Sequence, residues 1–245
     1  MHHFFVDPSS IEEGIVRIVG TDLNHMKNVL RMKPGEEVLI SDGTGKDYNC
    51  QVKEYGAEEG ILVILSENAD SRELPSRIWL FQGLPKSDKM ELIIQKSVEL
   101  GANSIIPVNM KRCVVKLEGK DEIKKNERWQ KIAESAAKQC GRGFIPEVKH
   151  LINVKEICNW INEYDVIIVA YENEKENTLK AELKKLKATD LKIGIVIGPE
   201  GGFEESDIKL LKESGAKIVT LGDRILRTET VALNVLSIIM YEFEQ

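Results

Sequence analysis

From residue 77 onward, short unbroken apolar runs alternate with stretches of helical period, and this alternation constrains the fold more than any other feature. Residues 78–83, 104–108, 165–171, 192–198 and 217–221 read as strands with few polar interruptions, and residues 88–100, 126–141, 178–187, 204–214 and 229–243 read as helices. A strand without polar alternation is buried on both faces. Helices between successive strands supply that cover, so the pattern predicts an α/β fold built on a parallel sheet. The first 70 residues have another rhythm. Their β-rich runs at 14–19, 37–41, 48–55 and 60–65 are separated by turn formers such as Lys33-Pro34-Gly35 and Asp42-Gly43-Thr44-Gly45. That spacing predicts a small β-barrel, with one short helix between Asp22 and Arg31. The change of rhythm across residues 71–76 divides the chain into domains 1–71 and 72–245.

Composition excludes several classes. With 42% hydrophobic residues and a net charge of −6 over 245 residues, the chain is too apolar for disorder. Its longest apolar runs, 166–171 and 235–241, fall far short of the roughly 18 residues that a membrane span requires. The start lacks the charged and apolar regions of a signal peptide. A soluble, cytoplasmic protein with no membrane partner is expected. Cys50, Cys113, Cys140 and Cys158, and His2, His3, His25 and His150, are scattered. None has the paired spacing of a metal site, so no metal is expected and the thiols are read as reduced.

The net charge alone argues against a nucleic-acid partner, but the charge is unevenly spread. Residues 1–70 carry 6 basic and 13 acidic side chains (net −7), residues 80–150 carry 14 and 9 (net +5), and residues 151–245 carry 12 and 17 (net −5). The middle segment holds Lys86, Lys89 and Lys96, the cluster Lys111, Arg112 and Lys116, and a ridge of Arg128, Lys131, Ser135, Lys138 and Arg142 spaced 3, 4, 3 and 4. A solvated helix face explains any one of these groups. Their clustering makes a phosphate-backbone footprint the competing reading. The last helix is apolar around nearly its whole circumference, which predicts burial either in a subunit interface or inside the monomer.

Two loops carry the chemistry. In the first, the apolar run Ile193–Ile197 leads into Gly198-Pro199-Glu200-Gly201-Gly202-Phe203 and then a helix. Ligands of α/β folds sit at the carboxyl ends of strands, and glycines let backbone groups approach a ligand closely. A phosphate is disfavoured: Glu200, Glu204, Glu205 and Asp207 crowd the loop and the first helical turn, and no Lys or Arg stands between Lys192 and Lys209. A neutral or cationic ligand suits this loop better. The competing reading is a tight strand–helix turn. The second loop, Leu221-Gly222-Asp223-Arg224-Ile225-Leu226-Arg227, also joins a strand to a helix. Thr228 suits its N-cap and Glu229 its first turn.

The sequence resembles the bacterial 16S ribosomal RNA (uracil-N3)-methyltransferases of the SPOUT superfamily along essentially the whole chain. The resemblance rests on Asn28-Val29-Leu30-Arg31-Met32 with Gly35, Gly83-Leu84-Pro85-Lys86 with Asp88-Lys89, and Ile94-Gln95-Lys96 with Glu99-Leu100-Gly101. It continues through Arg112 with Val114-Val115-Lys116, Arg128-Trp129, Gly198-Pro199-Glu200-Gly201-Gly202, and Arg224-Ile225-Leu226-Arg227 with Glu229-Thr230. The chain departs from the family at His2-His3, where a basic residue such as Arg is common, and at Asp223, where Pro is common.

The resemblance implies an N-terminal barrel similar to PUA or OB domains and a C-terminal SPOUT α/β domain with a deep trefoil knot. It implies S-adenosyl-L-methionine as cofactor, a homodimer, and 16S ribosomal RNA in the small ribosomal subunit as partner. A sulfonium cation agrees with the acidic glycine loop. Carried over, Tyr171, Ile197, Gly198, Pro199, Gly201, Gly202, Leu221, Gly222, Ile225 and Leu226 bind the cofactor. Arg227 is expected to stabilise charge on the uracil oxygens, and Glu229, with Glu200 as rival, to accept the N3 proton. His25, Arg31, Lys86, Lys89, Arg112, Lys116, Arg128, Lys138 and Arg142 are the expected RNA contacts. Other SPOUT targets (a ribose 2′-hydroxyl or a guanine nitrogen) and a non-catalytic RNA-binding or ribosome-assembly factor are the alternatives.

Overall fold

The computed structural model describes residues 1–68, 73–188 and 190–243, so the expected boundary between residues 71 and 72 lies outside the described residues. The chain forms two compact units, residues 1–73 with 137–145, and residues 74–136 with 146–245.

The first unit is a six-stranded sheet of β1 (His3–Phe5), β2 (Ile11–Glu12), β3 (Ile15–Val19), β4 (Glu37–Ser41), β5 (Asp47–Tyr55) and β6 (Glu59–Asn68). The strand order is β1-β4-β5-β6-β3-β2. Only β1 and β4 run parallel. Alternate residues turn inward, as a one-sided sheet requires: Val16 and Ile18, Val38 and Ile40, Cys50 and Val52 form one core with Phe4, Leu62 and Met26. Helix α1 (Gly20–Asn24) continues into a wider π-helical turn over His25–Val29, which buries Leu23 and Met26. The helix thus starts two residues before the expected Asp22. Burial pushes the Cys50 thiol up to about 12, which makes it inert packing.

The second unit contains β7 (Arg77–Gly83), α2 (Lys89–Glu99), β8 (Ser104–Asn109), α3 (Lys120–Cys140), β9 (Glu147–Val148), β10 (Ile152–Asn153) and α4 (Val154–Trp160). It continues with β11 (Val166–Ala170), α5 (Leu179–Leu183), β12 (Lys192–Ile197), α6 (Glu205–Ser214), β13 (Lys217–Val219) and α7 (Thr228–Phe243). The last turn of α3 belongs to the first unit. The strands lie in the order β10-β8-β7-β12-β11-β13, with β9 also on β8, and every pairing is parallel. All five residues of β11 are buried, as are all of β12 after Lys192. The unbroken apolar runs therefore do lie in the interior of a parallel sheet.

Helix α3 begins at Lys120, six residues before the expected start. Its first turns carry no buried stripe, and Ile123 is exposed. Helix α4, β1, β9 and β10 are elements that the sequence pattern does not announce. Helix α5 is shorter than expected. Helix α7 packs against α2 and β12 and buries one face made by Ala232, Val235, Leu236, Ile239 and Phe243. Its other apolar side chains are half-buried, and Tyr241 is 68% exposed. No described helix is long and apolar enough to cross a membrane.

Ile195, at the centre of β12, is fully buried. Ile195→Ala leaves a cavity in this core and should cost about 2–5 kcal/mol. The measurement is urea unfolding followed by circular dichroism.

Candidate functional site

The carboxyl ends of β11, β12 and β13 meet at one cavity of about 470 Å³. Its walls are Ala170–Glu172 after β11, Ile197–Phe203 after β12, and Thr220–Gly222 with Arg224–Thr228 after β13; Lys89 and Val231 complete it. This is where ligands sit in open α/β sheets. The two loops picked out in the sequence thus share one cavity. So do Tyr171, Ile197, Gly198, Pro199, Gly201, Gly202, Leu221, Gly222, Ile225 and Leu226. Tyr171 lines the cavity while its ring meets buried Phe203 edge-on at 6.2 Å.

Two glycines show why the loop needs them. A Cβ at Gly83 would lie 2.7 Å from the Pro199 backbone nitrogen, so the end of β7 and the glycine loop touch backbone to backbone. Gly202 has φ +68° and faces the Glu172 carboxylate where a Cβ would stand; the left-handed backbone is what favours glycine there. Thr228 fastens the site from within. As the first residue of α7, its buried hydroxyl donates to the Gly198 carbonyl at 2.6 Å and accepts from the Gln82 amide at 2.9 Å. The expected N-capping role gives way to this bridge between the strand ends.

Charges organise the mouth of the cavity. The Lys89 ammonium lies 3.0 Å from Glu200 Oε1 and 3.4 Å from Glu229 Oε2. The Lys86 backbone N–H donates to both Glu200 oxygens, at 3.0 and 3.2 Å. Hydrogen bonding to Glu200 raises the Lys89 pKa above its ordinary value. Burial works against the charge of Glu200, but backbone N–H donors and Lys89 more than offset it and hold its carboxyl below the ordinary range. Glu229 does not line the cavity; it is joined to it through Lys89. Arg227 lines the cavity and is exposed. Arg112 donates to Glu204 at 2.9 Å and to the Gly201 carbonyl at 3.3 Å, and its hydrogen bond holds the Glu204 carboxyl low.

The basic residues expected on RNA fall into distinct settings. In the first unit His25 and Arg31 are exposed, and the half-buried Lys138 pairs with Asp22 at 3.4 Å. Arg142 must be corrected. Helix α3 ends at Cys140, so the spacing that puts residue 142 on the basic ridge no longer applies. The side chain is buried, only 5% exposed, and forms an ion pair with Glu73. In the second unit Lys86 and Lys116 are exposed, Arg128 pairs with Glu91 at 2.8 Å, and Lys89 and Arg112 serve the cavity loops. Sequence reasoning missed Gln82, Glu172, Phe203 and the bridging role of Thr228. A buried amide-bearing residue at the end of an apolar strand is the one signal that marks Gln82. Among the described residues no three His, Cys, Asp or Glu side chains gather as a metal site would require.

Residues 72–240 match the model of the RNA methyltransferase domain, and residues 20–65 that of the RNA methyltransferase PUA domain. The chain belongs to this family of RNA methyltransferases. Within it, the chain is 36% identical over 253 residues to ribosomal RNA small subunit methyltransferase E of Bacillus subtilis (strain 168), a match covering 100% of this chain and 98% of that one. Its fold is also that of two solved structures. One is ribosomal RNA small subunit methyltransferase E from Neisseria gonorrhoeae bound to S-adenosyl methionine, with TM-score 0.85, 32% identity and 98% and 97% of the two chains covered. The other is the putative methyltransferase Lpg2936 from Legionella pneumophila in complex with the same cofactor, with TM-score 0.82, 29% identity and 98% and 96% covered.

The depressed pKa of Glu200 carries a pH signature. Its stabilising effect is complete above the ordinary glutamate value of 4.5 and disappears as the pH falls through the lower folded value. Glu200→Gln should therefore be less stable than wild type at pH 7, with the gap narrowing as the pH is taken below 4.5. Urea unfolding at a series of pH values measures it.

Proposed function

We propose that the chain methylates N3 of a uridine in 16S ribosomal RNA, with S-adenosyl-L-methionine as methyl donor and the assembled small ribosomal subunit as substrate, in the cytoplasm. The observation that carries this reading is the backbone-lined cavity with Glu172, Glu200 and Arg227 on its wall, in a chain whose structural relatives bind that cofactor. The residues present fit the group. A cavity of about 470 Å³ has the size of a cofactor site. Backbone around Gly198, Gly202, Leu221 and Gly222 offers hydrogen-bonding groups to adenine and ribose, and Glu172 and Glu200 supply negative charge. When bound, S-adenosylmethionine supplies a methyl group on a cationic sulfur.

The chain's own part is positioning and charge. N3 lies on the Watson–Crick edge, so the site must take the uridine unpaired or flipped out. Holding N3 in line with the donor supplies much of the rate. Arg227 stabilises the negative charge that develops on the ring oxygens as the proton leaves. Glu229 accepts that proton; Glu200 is the weaker candidate because Lys86 N–H and Lys89 already engage its oxygens. The exposed His25, Arg31, Lys86 and Lys116 contact phosphates, and the PUA-like segment belongs to an RNA-binding domain over residues 1–71, ahead of a methyltransferase domain over 72–245. The segment after β13 threads a deep trefoil knot, as the resemblance to the SPOUT superfamily implies. The protein is a homodimer, which the apolar surface left on α2 and α7 at Leu92 and Tyr241 supports.

The test is transfer of labelled methyl groups to intact small subunits and to bare 16S RNA. The wild-type chain should label the subunits. Arg227→Ala and Glu229→Gln should each lower kcat by about 100-fold or more with cofactor affinity little changed. Wild-type rates in both variants would overturn the residue roles, and no transfer by the wild type would overturn the function.

A further inference from the structure

Lys89 stands where helix electrostatics disfavours it. It is the first residue of α2, and a cation at a helix N-terminus meets the positive end of the dipole. Stability of α2 therefore does not explain it. Its surroundings do: the ammonium lies 3.0 Å from Glu200 and 3.4 Å from Glu229, on the cavity wall. These carboxylates come from different elements. Glu200 sits in the glycine loop after β12, and Glu229 in the first turn of α7 after the second loop. One ammonium on a third element, the start of α2, thus ties both cofactor loops together.

The approach to α2 is shaped for the same contact. Ser87 has φ +55°, a left-handed conformation that costs a non-glycine residue free energy and persists only where surrounding contacts enforce it. The neighbouring Lys86 N–H is turned onto both Glu200 oxygens. The β7–α2 segment thus grips Glu200 with a backbone N–H and an ammonium together. Without Lys89, two carboxylates would share a small, partly buried space; such pairs repel, and one of them takes up a proton at higher pH.

We propose that Lys89 is a positioning residue, clamping Glu200 and Glu229 so that both cofactor loops and the proton-accepting carboxylate keep their working arrangement. This rests on the methyltransferase reading above and assigns Lys89 to the site rather than to the RNA backbone. The charged groups around it are Glu200 and Glu229 and, on the same cavity wall, Glu172, Arg224 and Arg227.

The experiment measures methyl transfer to intact small subunits across pH for wild type, Lys89→Met, Lys89→Arg, Glu200→Gln and the Lys89→Met/Glu200→Gln pair. Lys89→Met should lower kcat by about 100-fold, the scale of a misplaced reacting group, and move the acidic limb of the pH–rate profile to higher pH. Lys89→Arg keeps a cation with several donors and should recover most of the rate and the original limb. Removing the second carboxylate in the double variant should return the limb toward wild type. A wild-type kcat and limb in Lys89→Met would overturn the proposal. So would a loss confined to KM for the subunit, which marks a phosphate contact instead. Should Lys89→Met fail to fold, Glu200→Gln decides: the clamp requires a lower kcat, and an unchanged one overturns it. If the wild type transfers no methyl group, the functional reading fails. The clamp is then read from urea unfolding, where Lys89→Met and Glu200→Gln must be non-additive; additivity overturns it.

Discussion

The Thr228 hydroxyl is the joint on which the site depends. It donates to the Gly198 carbonyl and accepts from Gln82, and all of this happens out of contact with water. One side chain therefore sets the start of α7 against the ends of β7 and β12. A buried hydroxyl that lost either partner would leave a polar group unsatisfied, at a cost of about 1–3 kcal/mol. The arrangement is self-enforcing. The glycine loop can then lie directly against Gly83, where no Cβ intervenes, and the second loop closes the remaining side of the cavity.

Charge gives this frame its chemistry. The glycine loop resembles a phosphate cradle in composition only, because acidic residues occupy the places where phosphate-binding cations would stand. Arg112, the nearest arginine to the loop's outer side, is spent on Glu204 and the Gly201 carbonyl. Lys89 faces inward but is matched by two carboxylates. What remains is a cavity with Glu172 and Glu200 on its wall beside Arg224 and Arg227. The carboxylates suit a cationic cofactor, and Arg227 is available for the charge that develops on a reacting base.

Much of this was legible in the sequence where short-range physics governs. The buried strands β7, β8, β11 and β12 show themselves as unbroken apolar runs, and the glycine loop shows itself by density and position. The elements that stay hidden depend on partners far along the chain. Strand β1 is three residues long and exists because His3 pairs beside Leu39; β9 exists because Glu147 pairs beside Ser104. Ion pairs were the least legible feature. The spacing of Lys89 within α2 gives no hint of Glu200 or Glu229, more than a hundred residues away. Arg142 lies two residues beyond the end of α3, so helical spacing placed it on a surface ridge while the fold buries it on Glu73. The same holds for Thr228, whose residue type fits a cap but whose hydroxyl is claimed by a distant carbonyl.

The most direct test of the account identifies the methylated nucleoside. Small ribosomal subunits lacking the modification are incubated with the chain and S-adenosylmethionine carrying a deuterated methyl group, and the RNA is digested to nucleosides for mass spectrometry. The account predicts the label in 3-methyluridine at a single position of 16S ribosomal RNA. Label in a ribose 2′-O-methyl group or on guanine, or no label at all, would contradict it.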